Sequence, residues 1–250
     1  MRLLSKTLAV MTLVVVVGTF STVEAHEIKL YLEQKAKVNE PVRIEFALGH
    51  FPDIFDHEHP FFQQVGASKL VVLDQNGAVF PLDYQRQDDR YVAEFTPKRE
   101  GVYWVVNHVT RGVVDRSGSN PPAGMQLRYY DAKAPLVVGG GRPPQAWPTF
   151  LHVGVQSTAN MPARVGDTFS GQVTYRGEKV ADQAVMLVSP SERARELVTD
   201  ANGRVEATLN EPGTWLIKTT MVDPQRSGVY GGAAYDRVRY NSSMYLEISE

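Results

Sequence analysis

Six histidines are the most concentrated chemical resource of this sequence, and five of them, His26, His50, His57, His59 and His108, fall in its first half. Neutral imidazole is the commonest metal donor, and residues distant in sequence can share one ion when each sits at a strand end. The stretch Gly49 to Phe62 carries six oxygen or nitrogen donors within ten residues: His50, Asp53, Asp56, His57, Glu58 and His59. Pro52 and Pro60 break it into a loop, where binding residues concentrate. An extended backbone would put His57 and His59 on one face. The plainer alternative is a solvated acidic loop that keeps Phe51, Phe55, Phe61 and Phe62 soluble.

His26 follows a leader-like segment. Arg2 and Lys6 precede the apolar run Leu8 to Val17, and Val23-Glu24-Ala25 has small residues where a signal peptidase reads. The run is shorter than the roughly 20 residues of a membrane span, so cleavage after residue 25 is expected rather than a retained anchor. Cleavage would give His26 two donors at once, the freed α-amine and the ring Nδ1. An α-amine has a pKa of about 7.7 to 8.0, so a metal can displace its proton near neutral pH. Taken alone, His26 reads as a fraying terminus, and the donor-rich stretch after His50 is what shifts the reading toward a ligand. His108 lies late in a strand on the same face as Trp104 and Val106, which makes it either a buried core histidine or a further ligand. His152, beside Leu151 and Val153, reads as structural.

Composition narrows the chemistry further. The 250 residues are 43% hydrophobic and 22% charged, with net charge -2 and no cysteine, which describes a globular protein. Disulfides, thiolate metal sites and cysteine catalysis are excluded. Removing Arg2, Lys6 and Glu24 with the leader leaves about 225 residues, 24 basic and 27 acidic, with net charge -3 and all six histidines. That balance argues against nucleic acid as a partner. There is no H-E-x-x-H, no G-x-S-x-G, and Gly139-Gly-Gly141-Arg142 lacks the partners of a phosphate loop, so no enzyme is expected.

The elements that must position these residues read as strands. Val42 to Phe46, Tyr91 to Phe95, Val102 to Val106 and Met125 to Tyr130 are short β-branched and aromatic runs. Phe169 to Tyr175, Val185 to Val188, Val205 to Leu209, Trp215 to Thr219 and Met244 to Ile248 repeat the pattern. The one helical turn expected is Ser191 to Leu197. Glycine and proline concentrate from Ala134 to Pro148, opposing regular structure. The reading is a leader at 1–25, a β-sandwich at 26–138 with the His-rich loop, a linker at 139–148 and a second β-sandwich at 149–250. Two copies of one unit are suggested by Asp74-Gln-Asn-Gly77 and Asp200-Ala-Asn-Gly203, each a tight-turn sequence followed by a strand, a glycine and an aromatic. D-x-N-G also opens calcium loops, but the later ligands such a loop requires are missing. The fold class is therefore all-β, two tandem immunoglobulin-like sandwiches. Tyr230, Tyr235, Tyr240 and Tyr245 with Arg237 and Arg239 form either a recognition surface or packed strand tyrosines.

Ala25-His26, Phe46-Ala-Leu-Gly-His50, Arg164-Val-Gly-Asp167-Thr-Phe169, Tyr175 to Val180, Thr199 to Arg204 and Pro212 to Lys218 together resemble the exported family of periplasmic nickel or cobalt uptake-associated proteins. The resemblance runs over most of the chain after the leader. It implies a periplasmic protein of two β-sandwich domains whose members begin with histidine after processing, matched by His26. They carry another histidine where the second strand ends, matched by His50. Many members have His-Pro there, whereas this chain has His50-Phe51-Pro52 and the additional Asp56-His57-Glu58-His59.

The expectation is a non-enzymatic periplasmic protein that binds a divalent transition metal and delivers it to a membrane uptake transporter. His26, His50, His57, His59 and His108 are the candidate ligands, with Asp56 or Glu58 orienting imidazoles from behind. Ni2+ or Co2+ is favoured, and Cu2+ and Zn2+ suit the same nitrogen donors. The alternatives are an adhesion-type tandem sandwich using the tyrosine-rich C-terminal region, and a copper protein or oxygenase using the terminal histidine.

Overall fold

In a computed structural model, residues 26–52, 54–145, 153–157 and 160–250 are described. The expected leader, Trp147 and His152 lie outside them. The first sheet contains β1 (Glu27–Leu32), β3 (Val42–His50), β8 (Arg90–Phe95) and β7 (Tyr84–Gln87) in that order, with β4 (Ile54–Phe55) paired to the end of β3. The largest sheet runs β16 (Ala194–Val198), β15 (Ala184–Val188), β18 (Gly213–Asp223), β21 (Arg237–Ser249), β10 (Met125–Val138), β9 (Gly101–Asp115), β5 (Lys69–Leu73), β6 (Val79–Pro81). β12 (Ala163–Arg164) joins it on β21 and β2 (Lys35–Ala36) on β10. The third sheet is β11 (Val153–Ser157), β13 (Thr168–Tyr175) and β14 (Glu178–Lys179), with β17 (Arg204–Thr208) also on β13. A hairpin of β19 (Gly228–Tyr230) and β20 (Ala233–Tyr235) completes the strands.

All nine expected strand runs are strands, or nearly so, and the fold is all-β. The one described α-helix, α1, is Phe62–Val65. Where a helical turn is expected at Ser191 to Leu197, a short connection at 191–193 leads into β16, which pairs with β15 from Ala184↔Val198 to Val188↔Ala194. Arg193, Arg195 and Glu196 are good helix formers, but an edge strand with a ready partner overrides propensity.

The two halves meet through the largest sheet. β10 and β21 pair in parallel from Gln126↔Arg237 to Lys133↔Met244. One face of that sheet, with Val72, Val105, Ala134 and Leu136, packs on Ile28, Ile44, Phe46 and Leu48 of the first sheet. The other face, with Trp104, Val106, Trp215 and Ile217, packs on Phe169, Val173 and Val205 of the third. β10 is buried on both faces from Tyr130 to Val138, and there Asp131 and Lys133 are the two charged residues among Tyr, Ala, Pro, Leu and Val. Pro135 lies inside it. The edge of β10 passes from β21, last paired at Lys133, to β2, first paired at Val137. Val137 donates its N–H along that edge, to Gln34, so the missing N–H of Pro135 falls in the gap between the two partners.

Both D-x-N-G sequences fold as the same turn. Asp74 Oδ1 accepts from Asn76 and Ala78 N–H at 2.9 Å, and Asp200 Oδ1 accepts from Asn202 and Arg204 N–H at 2.8 Å. Gly77 and Gly203 take φ of 81° and 71°, a region open to glycine at little cost. The first turn closes the β5–β6 hairpin, whereas the second carries the chain from β16 to β17 in a different sheet.

Candidate metal centre

The first-sheet ladder assembles the site. β1 and β3 pair with Glu27 opposite Gly49, so one further step puts His26 opposite His50. β3 then turns back into β4, with Gly49 opposite Phe55, and Asp56 N–H bonds to the Leu48 carbonyl at 2.9 Å. Asp56 is thereby brought level with His26, and its Oδ2 bonds to His26 Nε2. Its other oxygen accepts the His59 N–H at 3.1 Å, which turns the chain so that the His59 ring comes back over His26. The ring centroids of His50 and His59 both lie 4.3 Å from that of His26. Three imidazoles and one carboxylate from four points in the sequence thus converge at the end of the first core.

Hydrogen bonding assigns the ring atoms. With His26 Nε2 held by Asp56, Nδ1 is the nitrogen left to face an ion, and it is the one that closes a chelate ring with an α-amine on residue 26. His59 Nδ1 accepts the Phe61 N–H at 3.0 Å, which leaves its Nε2. Burial lowers the His59 pKa, with His26 and Arg111 adding to the effect. His59 is therefore held neutral near pH 7, as a metal donor must be. The bond from His26 lowers the Asp56 pKa, so the carboxylate stays ionised. The donor chemistry suits a borderline transition ion. The spacing is that of rings in contact: among the described residues no group of three or more His, Asp or Glu is already spaced around a metal position. Binding would turn the rings.

The other two candidate histidines go elsewhere. His57 is exposed and sits edge-on to Phe62 at 6.5 Å, because the turn at Asp56 reverses the extended alternation that would have paired it with His59. His108 is buried on the opposite face of the largest sheet, with Trp104 and Val106. Its Nδ1 bonds to Asp131 Oδ1 at 2.5 Å and its ring stacks on Tyr129 at 5.7 Å. It does not join the cluster. Glu58 is exposed, so Asp56 is the carboxylate that orients an imidazole. The C-terminal tyrosines do not form one surface: Tyr240 and Tyr245 are buried, and Tyr230 is exposed.

Three supporting residues escaped the sequence reading. Glu27, Lys29 and Tyr31 alternate with core-facing Ile28 and Leu30, so they share the other face of β1. All three grip the segment after His50: Glu27 Oε1 accepts the Phe51 N–H at 3.3 Å, and Lys29 Nζ and the Tyr31 hydroxyl both donate to the Pro52 carbonyl. Glu27 is also held at its other oxygen by Ser243 and Lys218, at 3.5 and 3.7 Å. Buried acid and base alternating with apolar residues directly after His26 was the available signal.

No curated protein matches the sequence. Among solved structures, a DUF4785 family protein from Legionella pneumophila aligns at 8% identity and TM-score 0.27, over 77% of this chain and 50% of its own. A Salmonella alpha-2-macroglobulin variant aligns at 14% identity and TM-score 0.25, over 88% of this chain and 14% of its own. An ICAM-5 ectodomain fragment aligns at 13% identity and TM-score 0.24, over 89% and 47%. The chain thus spans half or less of each, and similarity at this level carries no argument about fold or function. A family model described as a domain of unknown function (DUF4198) matches residues 23–223, and with most of its length covered the chain belongs to that family.

Proposed function

We propose that this protein is an exported, non-enzymatic binder of a divalent transition metal, nickel or cobalt favoured, which it passes to a membrane uptake system. The observation that carries the reading is the convergence of His50 and His59 on His26, each with its ring 4.3 Å away, while Asp56 holds the Nε2 side of His26. His26 would bind through Nδ1 and, after leader cleavage, through its α-amine. His50 and His59 would complete a nitrogen set, with Asp56 fixing ring orientation. A set of this kind also holds copper tightly and accommodates zinc. The resemblance in the strand-end and second-half motifs supports nickel or cobalt and the periplasm.

The test begins with the N-terminus and elemental content of natively purified protein. Titration of Ni2+, Co2+, Cu2+ and Zn2+ follows, into protein beginning at His26 and into a version with one extra residue before it. Nickel or cobalt bound more weakly by the extended version supports the chelate. Equal affinity removes the α-amine from the site, and no saturable binding of any of the four ions overturns the reading.

A further inference from the structure

The largest sheet projects beyond the first sheet, and the projecting part is covered on only one side. Val238, Tyr240, Leu127 and Tyr129 face the third sheet and pack with Val153 and Tyr175. On the opposite side of the same strands lie Arg128 and Arg239, direct partners in the β10–β21 ladder, with Arg237 opposite Gln126 and Asn241 opposite Tyr130. Adjacent strands are about 4.8 Å apart, so Arg128 and Arg239 are close neighbours. β9 adds Arg111 at the bulge opposite Arg128 and Tyr129, its guanidinium 5.1 Å from the Phe61 ring centre and thus on the same side. Arg116 follows where β9 ends.

Five arginines on one face of a protein with a slight negative charge require an explanation. Among the described residues, no carboxylate forms a salt bridge with Arg111, Arg116, Arg128, Arg237 or Arg239. Their partners are neutral: Arg128 donates to Gln126 Oε1 at 2.8 and 3.1 Å, and Arg239 Nε to Asn241 Oδ1 at 3.2 Å. Arg237 Nε is buried with no partner. Burial lowers the pKa of both Arg128 and Arg239, and neighbouring arginines push in the same direction. The nearby acid Asp223 bonds to Tyr175 on the covered side and neutralises none of them. Like charges held together without counter-ions oppose folding, and a bound anion would relieve that repulsion.

We propose that this face is an anion site for a small oxyanion with two or more negative charges, received by Arg111, Arg128 and Arg239. Guanidinium forks match carboxylate and phosphate oxygens in pairs, and three of them suit a polycarboxylate or a phosphate better than a single monovalent ion. The proposal does not depend on the metal reading, although Arg111 also lies near enough to His59 to act on its charge.

The test uses metal-free full-length protein, with isothermal titration of citrate and of pyrophosphate and with acetate at matched ionic strength as the control. Saturable binding of citrate or pyrophosphate, weakened at least tenfold in the Arg128→Gln/Arg239→Gln double variant, is the expected result; which probe binds tells carboxylate from phosphate. The double variant should also melt at the same or higher temperature than wild type without anion, because repulsion is removed. Arg111→Gln alone provides the same comparison if the double variant does not fold. Heats that never saturate, binding of acetate equal to that of citrate and pyrophosphate, or variants that bind as wild type does would overturn the proposal.

Discussion

The ring of His26 lies 4.3 Å from that of His50, where the β1–β3 ladder, extended one step beyond its last pair, Glu27–Gly49, would set the two residues opposite each other. That register ties the end of one strand to the beginning of another, so the spacing of the two rings is a property of the sheet and not of a loop. Opposed residues in an antiparallel pair have Cβ atoms about 4.5–5.5 Å apart, close enough for two imidazoles to reach one ion. His59 arrives by a different route, through the turn that Asp56 caps.

The histidines of the loop should therefore separate by function. His50→Ala and His59→Ala should each weaken nickel or cobalt binding by more than about 100-fold, above the range seen for outer partners of metal sites. His57→Ala should stay within about twofold of wild type, because its ring faces Phe62 and solvent. Titration calorimetry on the three variants decides, and a large effect at His57 with none at His59 would reverse the assignment.

Asp56→Asn keeps the shape of the turn but weakens the acceptor for His26 Nε2. A loss of about 10- to 100-fold in metal affinity is expected, with little change in melting temperature because Asn can still cap the His59 N–H. A variant that binds metal like wild type would show that Asp56 does not orient His26.

The shared sheet predicts one cooperative unit. Trp104 is fully buried on the face of β9 that packs against the second-half core, and Trp104→Ala should cost about 3–5 kcal/mol. A chain ending at Val138 would expose Trp104, Val106 and Val137 to water and should aggregate. Urea unfolding of the whole protein followed by fluorescence and by circular dichroism should give coincident transitions. A soluble, cooperatively folded 26–138 fragment would count against this dependence.

Much of this was legible in the sequence, for physical reasons that can be named. The strands follow from alternation and β-branched runs, and both D-x-N-G turns follow from Asp side-chain bonding and glycine at positive φ. His26, His50 and His59 could be named as candidates from residue type and position, and the fold brings their rings together. What was not legible depends on pairing between distant segments. The parallel β10–β21 contact leaves no local signal beyond the short apolar run that ends β10, and Pro135 there looked like a linker residue. His57 and His59 were separated by a three-residue turn that alternation does not anticipate. The arginine face arises only when β9, β10 and β21 lie side by side; in sequence, Arg111, Arg128 and Arg239 are far apart.

Lys133 provides a pH test of the interior. It is fully buried on β10, and burial lowers its pKa to about 7, partly offset by Asp131. In the unfolded chain an ordinary lysine remains protonated to about 10.4. Between pH 7 and 10 the unfolded state therefore binds one more proton than the folded state, and stability should rise with pH by at most about 1.4 kcal/mol per unit from this residue. Below pH 7 the contribution is flat, because both states carry the proton. Lys133→Met should reduce the slope above pH 7 by that amount, as measured by urea unfolding at pH 7, 8 and 9. An unchanged slope in the variant would mean that Lys133 keeps its proton in the folded state.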